Sequence, residues 1–391
     1  MENMPLVSVV IPVYNGSNYL AKAIDSVLAQ TYKFVEIIVV NDGSQDNGKT
    51  EAIALSYGNK VRYFHKENGG VSTALNFAIE RMKGEYFAWL SHDDMFLPYK
   101  IELQMNAILE SGDSMAISCG NFIAEEIKTG KFFHVRENEY FDETKLVKGV
   151  YSVFRGAVNG CTVLFHKNHF ERVGMFDETL RTTQDYDMWF RIFRRQNILF
   201  SEIPLSLIRV HQEQGSVTIS SYQDERDELF LNCMNKMTKE EILYIWESEY
   251  RYYHDLLESF TSWKLDKSIQ ESKNKIEELE KENVDLDDIN VIKEKIINEP
   301  NGVYIFGAGQ IGRKLGLKLR LIGIKINGMI DNDPGKQGES IEGILCYNLG
   351  EIKKEALIIV AVKQKEAILK QLLQAGYRNV YSDYNKLFTL A

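Results

Sequence analysis

Two rhythms of apolar and polar residues run along this chain. From Pro5 to about residue 220, short apolar runs such as LVSVVIPVY, VEIIVVND and KVRYFHK alternate with stretches such as NYLAKAIDSVLAQ and KTEAIALSYG, whose apolar residues recur three and four apart. The first rhythm predicts buried strands and the second amphipathic helices. Strand and helix in alternation predict an α/β domain over 1–220 with a mainly parallel sheet covered on its faces. In such a sheet ligands settle beyond the C-terminal ends of the strands.

From 221 to 299 the pattern changes to a charged stretch almost free of Gly and Pro, which predicts a helical linker. Leu265, Ile269, Ile276, Leu279 and Leu286 recur at three-, four- and seven-residue steps, with Asn283 on the same seam. This is a short heptad stretch with one polar core position. Two readings stand: a helix packed on its own domain, or a coiled coil over 262–290 that pairs two chains as a homodimer. The aromatic positions Tyr244, Trp246, Tyr250, Tyr252 and Tyr253 carry a parallel choice between a packed helix face and contact with a lipid-linked acceptor or membrane surface. After Pro300 a second α/β unit begins and fills 300–391, with the apolar runs VYIFG, INGMID, ALIIVAV and NVYSD.

Composition narrows the function classes. The net charge of −10 argues against nonspecific grip on nucleic acid. The four cysteines lie far apart with no C-x-x-C pair, so neither a zinc site nor a disulfide framework is expected, and the expected compartment is reducing. The first residues lack the basic and apolar regions of a signal peptide, and no window approaches ~20 apolar residues, the length a spanning helix needs. The expected location is the cytoplasm, at most on the inner face of the membrane.

Candidate chemistry gathers at the strand ends. The first strand runs into Pro12, Val13, Tyr14, Asn15 and Gly16, and the second ends at Asn41, Asp42, Gly43 and Ser44. Asp42 stands where a carboxylate could accept the imide N–H of a uracil, or could cap its own turn. Ser91, His92, Asp93 and Asp94 follow the run Tyr86 to Leu90. Adjacent carboxylates are costly unless neutralised, and Mg²⁺ or Mn²⁺ takes one or two carboxylates plus substrate phosphates. Asp185 and Asp187 open the amphipathic run beginning at Met188; one can cap that helix and the other is left as a general base for a hydroxyl acceptor.

Taken in order, VSVVIPVYN, NDGS, NGGVSTALN, SHDD and QDYDMW resemble the family 2 glycosyltransferases of GT-A fold, over roughly residues 5–215. The resemblance implies an inverting hexosyl- or N-acetylhexosaminyl-transferase that extends a bacterial surface glycan, glycolipid or glycoprotein. It implies a nucleobase pocket of Pro12, Tyr14 and Asp42, with Asp42 favouring a UDP-sugar donor. Asn68, Gly69 and Gly70 would bring backbone close to the nucleotide. Asp93 would hold Mn²⁺ or Mg²⁺, with Asp94 beside it on the donor sugar or behind the ligands, and Asp185 would be the base, leaving Asp187 as the cap. His211 resembles a late histidine near the metal or diphosphate, or is a packing histidine. Three positions depart from the pattern: Ser91 where Asp is common, Gln184 before the base, and Leu75 where an Arg often stands. Cys161 is expected as a small wall residue.

In the last unit, strand VYIF leads into Gly307, Gly309 and Gly312, then a helix, and the next strand ends at Asp331. That is the dinucleotide fingerprint in its required context, pointing to NAD or a similar nucleotide and to redox or epimerase chemistry. The unit is short for a full dinucleotide fold, so a Rossmann-like packing, dimerisation or acceptor-side module is the competing expectation. A scaffold without catalysis and a nucleotidyltransferase are further alternatives; the latter lacks its glycine-rich basic opening loop.

Overall fold

The computed structural model describes residues 4–212, 219–281, 293 and 296–388. The chain divides into two compact units, Met1–Lys273 and Asn274–Ala391.

In the first unit, parallel pairing joins β1 (Val7–Val13) to β2 (Val35–Asp42) and to β4 (Tyr86–Trp89), and β2 to β3 (Arg62–Lys66). The sheet continues through β5 (Met95–Phe96), β6 (Ile117–Glu126), β7 (Lys131–Val135), β8 (Leu164–His166) and β9 (Ile198–Val210). Its order is β3-β2-β1-β4-β8-β6-β9-β5, with β7 paired antiparallel to the second half of β6. Antiparallel pairs enter beyond β4, at β8 with β4 and β6, and at β5 with β9. The expected α/β sheet is therefore present, parallel where the ligand side was expected.

Both sheet faces are buried, and the two-residue period of β1 shows why. Val10 joins one apolar cluster with Ile38, Val40, Phe87 and Trp89, while Val9 and Ile11 join the other with Ile37, Val39 and Ala88. The second cluster is closed by helix Leu20–Leu28, whose Leu20, Ile24 and Val27 sit on one stripe.

The first cluster is closed in part by the helical zone. Phe230, Trp246, Tyr252, Phe260 and Leu265 all lie in it, from helices Tyr222–Asn235, Lys239–Trp246 and Glu249–Trp263 and the residues after them. Trp246, Tyr250 and Tyr252 are buried and Tyr244 is exposed, so this aromatic row is mostly a packed face. On the heptad seam Leu265 and Ile269 pack in the same cluster. Asn283 and Leu286 lie outside the described residues. No helix among the described residues is long and apolar enough to cross a membrane.

The second unit holds β10 (Val303–Phe306), β11 (Gly328–Ile330), β12 (Ser340–Ile341), β13 (Ile344–Tyr347), β14 (Leu357–Val360) and β15 (Val380–Tyr381) in the order β12-β13-β11-β10-β14-β15. All neighbours are parallel except the β12–β13 hairpin. Successive strands are added on one side of β10 up to β13 and on its other side from β14, which makes the place between β10 and β14 a topological switch point of the Rossmann kind.

Candidate active site

The C-terminal ends of β1, β2 and β4 open on a cleft of about 250 Å³ lined by Pro12, Tyr14, Asp42, Trp89, His92 and Asp93 among others. Four of the residues expected from sequence meet there. The strand ends are pinned to one another: Asn15 N donates to Ser44 Oγ at 2.8 Å, and Gln45 N donates to Asn15 Oδ1 at 2.7 Å. Asn15 has φ +51, a conformation Asn tolerates better than most residues. Gly16 is required by crowding, because a Cβ there would lie 2.4 Å from the His92 ring.

Asp42 does not cap its own turn. Its carboxylate accepts from Gly69 N at 3.0 Å, Gly70 N at 2.7 Å and Lys66 Nζ at 2.7 Å, while Asn68 Nδ2 donates to the Asp42 carbonyl at 2.9 Å. The glycine loop is thus folded down onto the Asp42 carboxylate. Gly70 has φ +93, and a Cβ on Gly43 would lie 2.7 Å from Asn68 N, so glycine at both places lets the loop close. A carboxylate has about four lone-pair sites, so three donors leave one for a ligand. Lys66 was not anticipated; a cation in a strand of mixed pattern gives no signal until the topology sets it beside Asp42.

Beyond β4 the two acidic residues part company. His211 Nε2 lies 2.9 Å from Asp93 Oδ2. Asp94 turns inward: its carboxylate accepts from Arg209 N at 2.9 Å and lies 3.3 Å from Cys161 Sγ. Burial, then the neighbouring charge of Asp93, hold Asp94 well above the usual carboxylate range. Asp94 braces the loop from behind rather than lining the cleft. Arg209 adds a bond to the Asp93 carbonyl at 2.5 Å. Cys161, expected as a wall residue, is buried with its thiol pushed up by burial and does not line the cleft.

Asp93 and His211 fit a divalent cation. Adjacent corners of an octahedron with bonds of ~2.1 Å stand about 3 Å apart, close to their separation. Among the described residues no three His, Cys, Asp or Glu side chains form a cage. The remaining corners would fall to substrate phosphate and water, the usual arrangement for Mg²⁺.

Asp185 opens helix Gln184–Phe193. One turn on, Trp189 packs on Trp89 of the cleft wall with ring centroids 6.5 Å apart, which ties this helix to that wall; Asp185 itself is not among the residues lining the cleft. Asp185 Oδ1 accepts from Tyr186 N at 2.8 Å. Desolvation pushes its carboxyl up to about 6, against the pull of nearby amides and of Arg226. Asp187 is not the cap: it takes a two-pronged bond from Arg191, at 2.9 and 2.5 Å, one turn later. Leu75 is wholly buried in the core, so no phosphate contact arises at that position.

The glycines of the second unit divide by role. Gly307 has φ +109, and a Cβ there would lie 2.5 Å from Val362; one on Gly312 would lie 1.8 Å from the Gly307 carbonyl. Gly309 borders open space. Asp331, expected to hold a ribose, accepts from Ala308 N at 2.9 Å and Lys336 Nζ at 3.1 Å. The acid is thus engaged with the glycine loop itself, an observation that favours the packing role for this unit.

The model for glycosyl transferase family 2 matches residues 8–196. A glycosyltransferase of Rickettsia bellii is 49% identical over 249 residues, covering 63% of this chain and 36% of that protein. One of Rickettsia typhi is 44% identical over 254 residues, covering 64% of this chain and 79% of that protein. The chain therefore spans little more than a third of the first relative and most of the second. The solved structure of S. aureus TarS 1–349 in complex with UDP-GlcNAc aligns at TM-score 0.49 and 17% identity, over 65% of this chain and 71% of that one.

Proposed function

The chain belongs to glycosyltransferase family 2, and from that premise we propose that its first unit transfers a sugar, with inversion, from a UDP-sugar to a hydroxyl group. The observation that carries the reading is that Asp42, bonded to its glycine loop, and Asp93, paired with His211, line one cleft at parallel strand ends. The acceptor is a bacterial surface glycan, glycolipid or glycoprotein, and the sugar a hexose or N-acetylhexosamine.

Pro12 and Tyr14 wall the base, and the free lone pair of Asp42 accepts from its imide. Asp185 takes the acceptor hydroxyl proton as that oxygen bonds to the anomeric carbon, whose bond to the diphosphate oxygen breaks, with UDP as the leaving group. A carboxyl pushed up to about 6 is still ionised at neutral pH, and is a stronger base than an ordinary Asp. A divalent ion held by Asp93 and His211 would offset negative charge on the departing diphosphate.

A panel of UDP-sugars assayed for hydrolysis with Mn²⁺ or Mg²⁺ tests this reading. Turnover of at least one UDP-sugar, lost on chelation, is expected. Turnover of none, together with no UDP binding, would remove it.

A further inference from the structure

Beyond the family-matched segment, which ends at residue 196, helix Tyr222–Asn235 reaches back to the loop that carries Asp185. One side chain makes that connection. Glu225 Oε1 accepts from Thr182 N at 2.8 Å, Thr182 Oγ1 at 2.7 Å, and Thr183 N and Oγ1 at 2.9 Å, while Oε2 accepts from Arg181 N at 3.0 Å. Three successive backbone N–H groups and two hydroxyls thus converge on a single carboxylate. Thr183 is the residue at the N-terminal boundary of the helix that Asp185 opens, and its own side chain makes no capping bond. The entry of that helix is fixed from outside, by Glu225.

The next residue, Arg226, stands over the Trp263 ring at 4.4 Å and near Tyr186, Tyr222 and Phe230. Its charge favours the ionised form of Asp185, and that of Glu225 opposes it. The two charged groups acting on the base therefore come from one helix, which the core anchors through Leu229 and Phe230.

We propose that Glu225 is a positioning residue for transfer, holding the 181–183 loop so that Asp185 is presented to the acceptor. This rests on reading Asp185 as the base. A carboxylate with five donors is hard to replace by water, because each orphaned N–H in a crowded loop loses a charge-assisted bond. Displacing a catalytic group by about 1 Å can cost on the order of 100-fold in rate.

The test uses the full chain, UDP-GlcNAc hydrolysis with Mn²⁺ as the activity probe, and UDP titration as the binding probe. Glu225→Ala should lower kcat by about 10–100-fold, with UDP affinity within about twofold of wild type. Glu225→Asp keeps the charge, withdraws it by one methylene, and should fold even if the alanine variant does not; its kcat should fall about 10-fold. Glu225→Gln keeps one acceptor oxygen but loses the charge and turns an amide N–H₂ toward Arg181 N, so its kcat should also fall, by less than that of Glu225→Ala. Because it removes a charge that raises the Asp185 pKa, its acidic limb should move to lower pH. Wild-type kcat in Glu225→Asp, or UDP affinity falling in step with kcat, overturns the proposal. Asp185→Asn separates the two readings. If that variant is silent while Glu225→Asp is unaffected, the positioning role alone is lost. If Asp185→Asn hydrolyses at the wild-type rate, the base assignment falls and the proposal with it.

Discussion

His211 Nε2 stands 2.9 Å from Asp93 Oδ2, although the two residues are 118 positions apart in the chain. β9 runs past the loop after β4 and delivers the imidazole at its end, while Arg209, two residues earlier, grips the loop backbone. In the proposed site these two residues hold the cation, so each matters to its affinity. His211→Ala should raise the Mn²⁺ concentration for half-maximal hydrolysis by about 10–100-fold, with activity returning at saturating metal. Asp93→Asn should remove metal-dependent hydrolysis altogether. A His211→Ala variant with unchanged Mn²⁺ dependence would assign the histidine to packing.

Asp185→Asn should cut hydrolysis by about 10²–10⁴-fold and leave UDP affinity intact. It should also stabilise the fold. The carboxyl titrates at 3.8 when free and at about 6 in the protein, so above pH 4 the unfolded chain gives up its proton first. Folded-state stability is then lost as pH rises from about 4 to 6, and the loss is complete above. A rise of about two pH units at about 1.36 kcal/mol each, reduced for partial solvent access, gives about 1–2 kcal/mol. Chemical denaturation at pH 7.5 and pH 4 checks the sign: the variant should be the more stable at 7.5 and equal wild type at 4.

The rate should follow the same group. In the proposed mechanism Asp185 acts ionised, so log kcat/KM should rise with pH up to about 6 and level off. Arg226→Leu withdraws a cation that favours the carboxylate, and the acidic limb should move upward. A limb that stays in place, or moves downward, would mean that Arg226 does not act on the base.

Lys66 is the electrostatic partner of Asp42, and only the pairing of β3 with β2 brings them together. Lys66→Met leaves the two glycine amides on the carboxylate but frees a lone pair and a negative charge. The loop should loosen, and UDP affinity should fall about 10-fold while kcat at saturating donor changes little. Isothermal titration with UDP and the kcat–KM split report this directly.

Much of the first unit could be read from residue order because its signals are local. A strand of period two ending in turn residues announces both its two buried faces and its ligand end, and Val9, Val10 and Asp42 lie as that rule requires. What escaped depends on pairing over long separations. Asp94 is told from Asp93 only by Arg209 and Cys161 arriving behind it. Glu225 looks like one acid among many on a charged helix until the fold brings residues 181–183 within its reach. The helical zone likewise read as a linker, since charge on its outer faces hid Phe230, Trp246 and Tyr252, which complete the core.

The glycine triplet of the second unit gives a last contrast, because one motif holds three different physical demands. At Gly312 a Cβ would sit 1.8 Å from the Gly307 carbonyl, backbone that cannot move without shifting the helix off β10. Gly312→Ala should therefore destabilise this unit by about 1–3 kcal/mol or more, the range of overpacking. At Gly309 φ is −83 and no atom lies within 4 Å of a Cβ, so alanine meets neither strain nor contact. Gly309→Ala should leave stability unchanged or raise it by about 0.4–1 kcal/mol, through a less flexible unfolded chain. Thermal unfolding of the two variants should separate them by several degrees. If Gly309→Ala proves the damaging one, the loop geometry on which the packing role rests is wrong.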